Sequence, residues 1–172
     1  MRSDQEDEFR QYVVTRTERL RRFAYLCCGD WHRAEDVVQT ALLRLYRAWN
    51  RASRRSVDGY TRRIIVNLLI DEYRLVWFRR VHVSDRLPDR APPDTGGGSE
   101  QRMVLTEALM RLPKRQRAAV VLRFWEDLSI EQTAKVMGCS NGSVKNLTMR
   151  GLATLRGLLA EEDLVHIQGV AT

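Results

Sequence analysis

The sequence predicts an all-α protein made of two small helical domains joined by a flexible linker, and three observations predict it. Apolar residues recur at three-four spacing through most of the chain. A Pro/Gly-rich stretch interrupts that periodicity near the middle, and a serine-led capping signature followed by a glycine stop brackets a tight turn near the C-terminus. The 172 residues are 44% apolar, a globular rather than a disordered composition. This length holds one medium domain or two small ones, and two would each have a core near the lower size limit.

The first helix carries Phe9, Tyr12, Val13, Leu20, Phe23, Ala24 and Cys27 on a loose helical spacing and ends at the Gly29-Asp30 break. In the second, Ala34, Val37, Val38, Ala41, Leu42, Leu45, Tyr46 and Trp49 recur at alternating steps of three and one, an apolar stripe that must face a core. Its opposite side presents Asp36, Gln39, Thr40, Leu43 and Arg47. An apolar Leu43 within that polar stripe fits either ordinary solvation or a protein-docking face. The third helix is expected from about Val57 to Phe78, with an inward seam of Ile64, Ile65, Leu68, Leu69 and Leu75. Tyr60, Arg63, Asn67, Asp71 and Arg74 share another side. Arginine suits phosphate, tyrosine can stack on a base and an amide can bond a base edge, so the face suits single-stranded or distorted nucleic acid. The competing reading is a plain surface with an Asp71–Arg74 ion pair of little energetic weight.

From Leu87 to Ser99 the chain reads LPDRAPPDTGGGS, with three of the four prolines and three consecutive glycines. Neither helix nor strand survives there, so a flexible linker is expected. The resulting division is a first module over 1–80, a linker over 81–100, a second module over 101–160 and a short tail over 161–172.

The second module starts with a short helix from Val104 to Arg111. Pro113 suits the start of another, Arg115 to Trp125, with Ala118, Val121, Leu122 and Trp125 on one face. Ser129-Ile-Glu-Gln132 is a capping box that opens a helix, and Gly138 permits the left-handed residue that closes it. Ser140 caps the next helix, whose inward seam is Val144, Leu147, Gly151, Leu155 and Leu158. Two helices across so short a glycine-containing turn form a helix-turn-helix, the second helix being available to the DNA major groove. Its outward positions are Asn141, Ser143, Lys145, Asn146, Thr148, Met149 and Arg150. Amides and hydroxyls can read base edges, and no carboxylate opposes the DNA.

Charge placement agrees with this reading. The chain holds 29 Lys and Arg against 22 Asp and Glu, a formal +7. Residues 44–80 alone hold ten arginines (44, 47, 51, 54, 55, 62, 63, 74, 79 and 80) against Asp58, Asp71 and Glu72, an excess equal to that of the whole chain. An acid-free window from Met137 to Leu158 adds Lys145, Arg150 and Arg156. Two separated basic zones suit a polyanion gripped at two places. No run of 18 apolar residues exists and the Met1–Glu8 segment is polar and acidic, so a cytoplasmic address without membrane insertion is expected. Cys27, Cys28 and Cys139 match neither a disulfide framework nor a metal spacing and are expected as reduced core thiols. Catalysis is not expected. Glu35-Asp36 and Glu126-Asp127 are adjacent pairs that diverge by about 100° on a helix, and His32, His82 and His166 are scattered. No metal or cofactor is expected.

Three segments together carry a family resemblance: CGDWHRAEDVVQTALLRLYRAW, YTRRIIVNLLIDEYR and LPKRQRAAVVLRFWEDLSIEQTAKVMGCSNGSVKNLTMRGLATLR. Over about residues 9–158 the chain resembles a group-IV, extracytoplasmic function (ECF) RNA polymerase sigma factor of the sigma-70 family, similar to the actinobacterial SigE-like group. The resemblance implies a sigma region 2 helical bundle and a sigma region 4 helix-turn-helix that direct core RNA polymerase to promoters. It implies core docking by Asp36, Gln39, Thr40 and Leu43 on the beta-prime clamp helices. It implies −10 contacts by Tyr60, Arg62, Arg63, Asn67 and Arg74. For the −35 element it implies Ser140, Asn141, Ser143, Lys145, Asn146, Thr148, Met149 and Arg150, with region 4 near the beta flap. An anti-sigma factor is a further partner that the family implies. Against the family pattern, Ser143 stands for Thr, Asn146-Leu147 for Ser-Arg, Thr40 for an acid and Gly151 for Ala. The alternative reading is a stand-alone dimeric helix-turn-helix regulator, which leaves the first module's docking face and arginine belt without a role.

Overall fold

The computed structural model describes residues 3–53, 56–79 and 99–159. Helices α1 (Ser3–Cys28), α2 (Trp31–Arg47), α3 (Trp49–Ala52) and α4 (Val57–Arg79) form the first module. Helices α5 (Ser99–Arg111), α6 (Lys114–Val120), α7 (Ile130–Met137) and α8 (Asn141–Leu158) form the second, with a π turn at Val121–Trp125 between α6 and α7. The linker expected over 81–100 lies outside the described residues up to 98, and α5 begins at Ser99, earlier than the expected Val104. The tail over 161–172 also lies outside them.

Local chemistry fixes the helix ends. Asp30 caps α2 by accepting from the backbone N–H of Arg33 at 2.9 Å, after Gly29 has turned the chain with a φ of +73°. The expected capping box is present: Ser129 Oγ accepts from Gln132 N at 3.1 Å and Gln132 Oε1 accepts from Ser129 N at 2.9 Å. Gly138 closes α7 at φ +63°, ψ +42°, and Ser140 Oγ opens α8 by accepting from Ser143 N at 3.1 Å.

The expected continuous helix from Arg115 to Trp125 is corrected to α6 plus the π turn, in which Glu126 N–H donates to Val121 O at 3.0 Å. The extra residue shifts the face that follows, turning Glu126 inward to a buried position. Asp127 then takes a positive φ of 51° to release the chain toward α7.

The apolar seams meet as expected along most of their length. Phe23, Ala24, Val38, Ala41 and Ile65 are buried among α1, α2 and α4, while Leu122, Val144 and Leu155 are buried among α6, the π turn and α8. The Leu75 side chain lies outside the described residues, and among the described positions two depart. Tyr46 is 44% exposed at the rim against Phe9, with ring centroids 5.1 Å apart, and Leu158 is 49% exposed while Leu159 takes the inward place. Leu158 is the last member of its seam, where a straight 3.6-residue repeat has drifted outward. Cys27, Cys28 and Cys139 are free thiols; Cys27 is buried as expected of a core thiol, while Cys28 and Cys139 are half-buried against the core.

The two modules share one continuous core. α4 packs on α7 and α6, and α1 packs on α5, α6 and the π turn. Leu20, Phe23 and Leu69 from the first module and Leu109, Leu112 and Val121 from the second belong to the same buried cluster.

Candidate nucleic-acid interface

Three faces carry the expected site residues. On α2, Asp36 and Gln39 are exposed, Thr40 is half-buried with its hydroxyl donating to Asp36 O at 2.8 Å, and Leu43 is 64% exposed. Most of the apolar side of the same helix is committed to the core, with Ala34, Val37, Val38, Ala41 and Leu45 buried, and Leu43 stands on the opposite side. A large apolar side chain standing in a polar stripe is suited to insertion into a partner surface.

On α4, Arg63 and Asn67 are exposed and Tyr60 is half-buried. Arg51 approaches Tyr60 twice over, donating from Nη2 to the phenol oxygen at 3.0 Å and placing its guanidinium carbon 5.8 Å from the ring centroid. This couples a cation to an aromatic face, the pairing that single-stranded bases use. Arg62 differs from the expectation. It is buried, and its Nε donates to Glu126 Oε2 at 2.7 Å with Nη2 also on that oxygen. Its neighbour Thr61 is fully buried, donating to Val57 O at 2.8 Å and lying 3.1 Å from the Tyr12 hydroxyl. Tyr12 also donates to Asp58 Oδ1 at 3.0 Å, and burial drives its phenol well above the ordinary value. Arg74 is on α4, but its side chain lies outside the described residues, as do Arg54, Arg55 and Arg80.

On α8, Asn141, Lys145, Asn146, Met149 and Arg150 are exposed, Met149 at 66%, and Ser143 is half-buried. Ser140 is occupied as the helix cap, its Oγ 2.9 Å from Ser143 Oγ. Thr148 is half-buried, and its hydroxyl oxygen is buried with no hydrogen-bond partner among the described residues. The free face is therefore a strip of amides, cations and one thioether, which can meet acceptors, phosphates and a thymine methyl in the major groove.

Sequence reasoning missed Glu126 and Arg117. Glu126 was weighed only as half of a catalytic pair, whereas its carboxylate is 1% exposed between Arg62 and Arg19. Arg117 is buried, its Nε donating to Leu109 O at 2.8 Å, Nη2 to Leu112 O at 3.0 Å and Met110 O at 3.1 Å, and Nη1 to Cys27 O at 2.8 Å. It satisfies the orphan carbonyls at the end of α5 and one at the end of α1. The only sequence signal was an arginine and a glutamate inside otherwise apolar seams.

Among the described residues no group of three or more His, Cys, Asp and Glu could hold a metal, and no helix is long and apolar enough to cross a membrane. What the fold defines, among the described residues, is an all-helical protein with a helix-turn-helix packed beside a basic helix bundle. Comparison with known proteins gives that class its family. The Sigma-70 region 2 model matches residues 13–78 and the Sigma-70 region 4 model matches residues 102–155. An RNA polymerase sigma-E factor of Streptomyces avermitilis is 39% identical over 91% of this chain and 88% of its own length. The ECF RNA polymerase sigma factor SigM of Mycobacterium tuberculosis is 33% identical over 88% of this chain and 76% of its own. In fold, the chain is similar to the sigma factor RpoE of Bartonella quintana, solved in complex with the anti-sigma factor NepR. The TM-score is 0.76 at 23% identity, covering 88% of this chain and 96% of that one. The chain belongs to the ECF sigma factors of the sigma-70 family, and its function is that of an RNA polymerase sigma factor in promoter-directed transcription initiation.

Proposed function

We propose that the three faces divide the work of initiation: Asp36, Gln39, Thr40 and Leu43 dock core RNA polymerase, Tyr60, Arg63, Asn67 and Arg74 contact the −10 element, and the exposed strip of α8 reads the −35 element. Arg62 joins the −10 set once it is released from Glu126. The observation that carries the docking assignment is Leu43, 64% exposed on a helix most of whose other side is committed to the core. The α8 assignment is supported by a capped helix with Lys145, Asn146, Met149 and Arg150 facing outward and no acid among them.

The mechanism uses binding rather than bond-making. The first module captures unstacked non-template bases, whose unpairing costs a few kcal/mol, and the second holds duplex DNA upstream. The chain between them makes the second contact intramolecular, so each weak interface gains from the other. This work is cytoplasmic. The same exposed α2 and α8 faces are natural targets for an anti-sigma factor, the kind of partner held by the Bartonella RpoE.

Leu43→Asp is the direct test. The substitution sits at a solvated position, so helical content and melting are expected to stay within about 0.5 kcal/mol of the parent. Association with core polymerase and run-off transcription from a promoter library are expected to be lost. A Leu43→Asp protein that still assembles and transcribes overturns the docking face.

A further inference from the structure

Glu126 belongs to the second module, yet both side chains that bind its carboxylate come from the first. Oε2 accepts from Arg62 of α4, and Oε1 lies 3.4 Å from Arg19 Nε of α1. The carboxylate is 1% exposed and Arg62 only 10%, whereas Arg19 is half-exposed. Such a pair is satisfied only when the modules are in contact, since neither partner has a second buried counter-charge among the described residues. A second contact between the modules comes from Arg117, which reaches Cys27 O across them. It is close-fitting as well: a Cβ on Gly29 would stand 2.6 Å from Met110 Sδ.

The consequence for the promoter surface is steric and electrostatic at once. α7 lies along α4, and Gly138, at the turn of the helix-turn-helix, faces Arg63, whose Nη2 is 3.8 Å from the position of a Cβ there. Meanwhile α8 keeps its outward strip free. The helix-turn-helix module therefore covers part of the basic face of α4 without hiding its own reading helix.

We propose that Glu126 is an internal phosphate mimic that latches the second module onto α4 and withholds Arg62 from DNA in the free protein. An acid that accepts from a guanidinium through two N–H groups occupies the place a phosphate oxygen would take. DNA and Glu126 compete for one arginine, so promoter engagement requires the modules to part. This rests on the reading of α4 as the −10 surface, and its test separates the two.

The full-length chain and Glu126→Gln are compared by small-angle scattering and by fluorescence anisotropy with a dye-labelled mixed-sequence single-stranded DNA, both without polymerase. The parent is expected to be compact, near the ~16 Å radius of gyration of a folded chain of this length plus the contribution of its tail. Glu126→Gln is expected to be larger and to bind the DNA tighter by on the order of tenfold, because a buried guanidinium has lost its counter-charge. Arg19→Ala, at a half-exposed position that cannot unseat the fold, is expected to shift both readouts the same way by less. Circular dichroism identifies a variant that has unfolded. Unchanged dimensions in both folded variants, or a parent already expanded, overturns the latch. Larger dimensions with unchanged DNA affinity also overturn it, since closure would then not withhold Arg62. Run-off transcription by the parent with core polymerase tests the sigma reading independently of either result.

Discussion

Gly151 shows how a residue that departs from the family pattern is explained by its neighbours. Where the family has Ala, a Cβ here would stand 2.7 Å from Val120 Cγ2 and 3.2 Å from Leu112 Cδ2, so α8 and α6 approach too closely for a side chain. Propensity alone predicts a gain of about 1 kcal/mol for Gly151→Ala in a helix interior. The clash lies in a buried seam, where overpacking costs about 1–3 kcal/mol, and packing decides the sign. Gly151→Ala is expected to lower the urea midpoint without changing the slope, and Val120→Ala added to it is expected to restore part of the loss. Among ionisable groups, Cys27 is the second residue-scale case. Burial, first, and the adjacent Cys28 hold its thiol far above the ordinary range, and burial raises the Tyr12 phenol likewise. Both groups keep their protons in the folded state at pH values where the unfolded chain loses them, so ν for the unfolded state is the smaller and stability falls as pH rises. The loss is expected to begin above about pH 8.5 for the thiol and to steepen past about pH 10 for the phenol. Urea midpoints measured across that range check it, as does the resistance of Cys27 to alkylation until the chain is unfolded.

At the scale of elements, α8 separates two kinds of contact that one helix surface carries together. Lys145 and Arg150 are exposed cations, while Asn146 is an exposed amide on the same strip. Lys145→Ala is expected to weaken promoter binding by the assembled holoenzyme on every sequence alike and to reduce the slope of log affinity against log salt by about one. Asn146→Ala is expected to leave the salt slope alone and relax the preference for particular −35 bases, at about 1–3 kcal/mol of discrimination. Competition binding with a −35 library distinguishes them. Such helices were legible in the sequence for a physical reason. Capping by Ser129 and Ser140 and the left-handed stop at Gly138 are local events, decided by residues within one turn of each other. The π turn was not legible, because its extra residue is set by packing of Glu126 against another module and not by any neighbour in sequence. The half-burial of Thr148 was not legible for a related reason. Helical position puts it near the boundary of the outward strip, and only the approach of the packed elements decides on which side its hydroxyl falls.

At the scale of the molecule, the linker-divided sequence suggested two independent bodies, and the structure joins them through one core. The contact between Arg62 and Glu126 spans 64 residues, a separation at which the sequence carries no periodic signal. A shared core has a thermodynamic signature. If the modules were independent, the chain would melt in two steps, each following its own core substitutions. Because Leu20, Phe23 and Leu69 lie in the same cluster as Leu109, Leu112 and Val121, loss of either module uncovers apolar surface on the other. The free chain is therefore expected to unfold in one transition, with calorimetric and van't Hoff enthalpies equal and with aromatic and far-ultraviolet signals coincident. Leu109→Ala, buried at 4% in α5, is expected to cost about 2–5 kcal/mol and to lower the melting of the whole chain rather than of its C-terminal half alone. Two resolved transitions, only one of them moved by Leu109→Ala, would show that the modules fold separately and that the cluster joining them contributes nothing to stability. A single transition that Leu109→Ala shifts intact means that parting the modules uncovers apolar surface, so a partner that holds them apart must bind the parted form more tightly than the closed one.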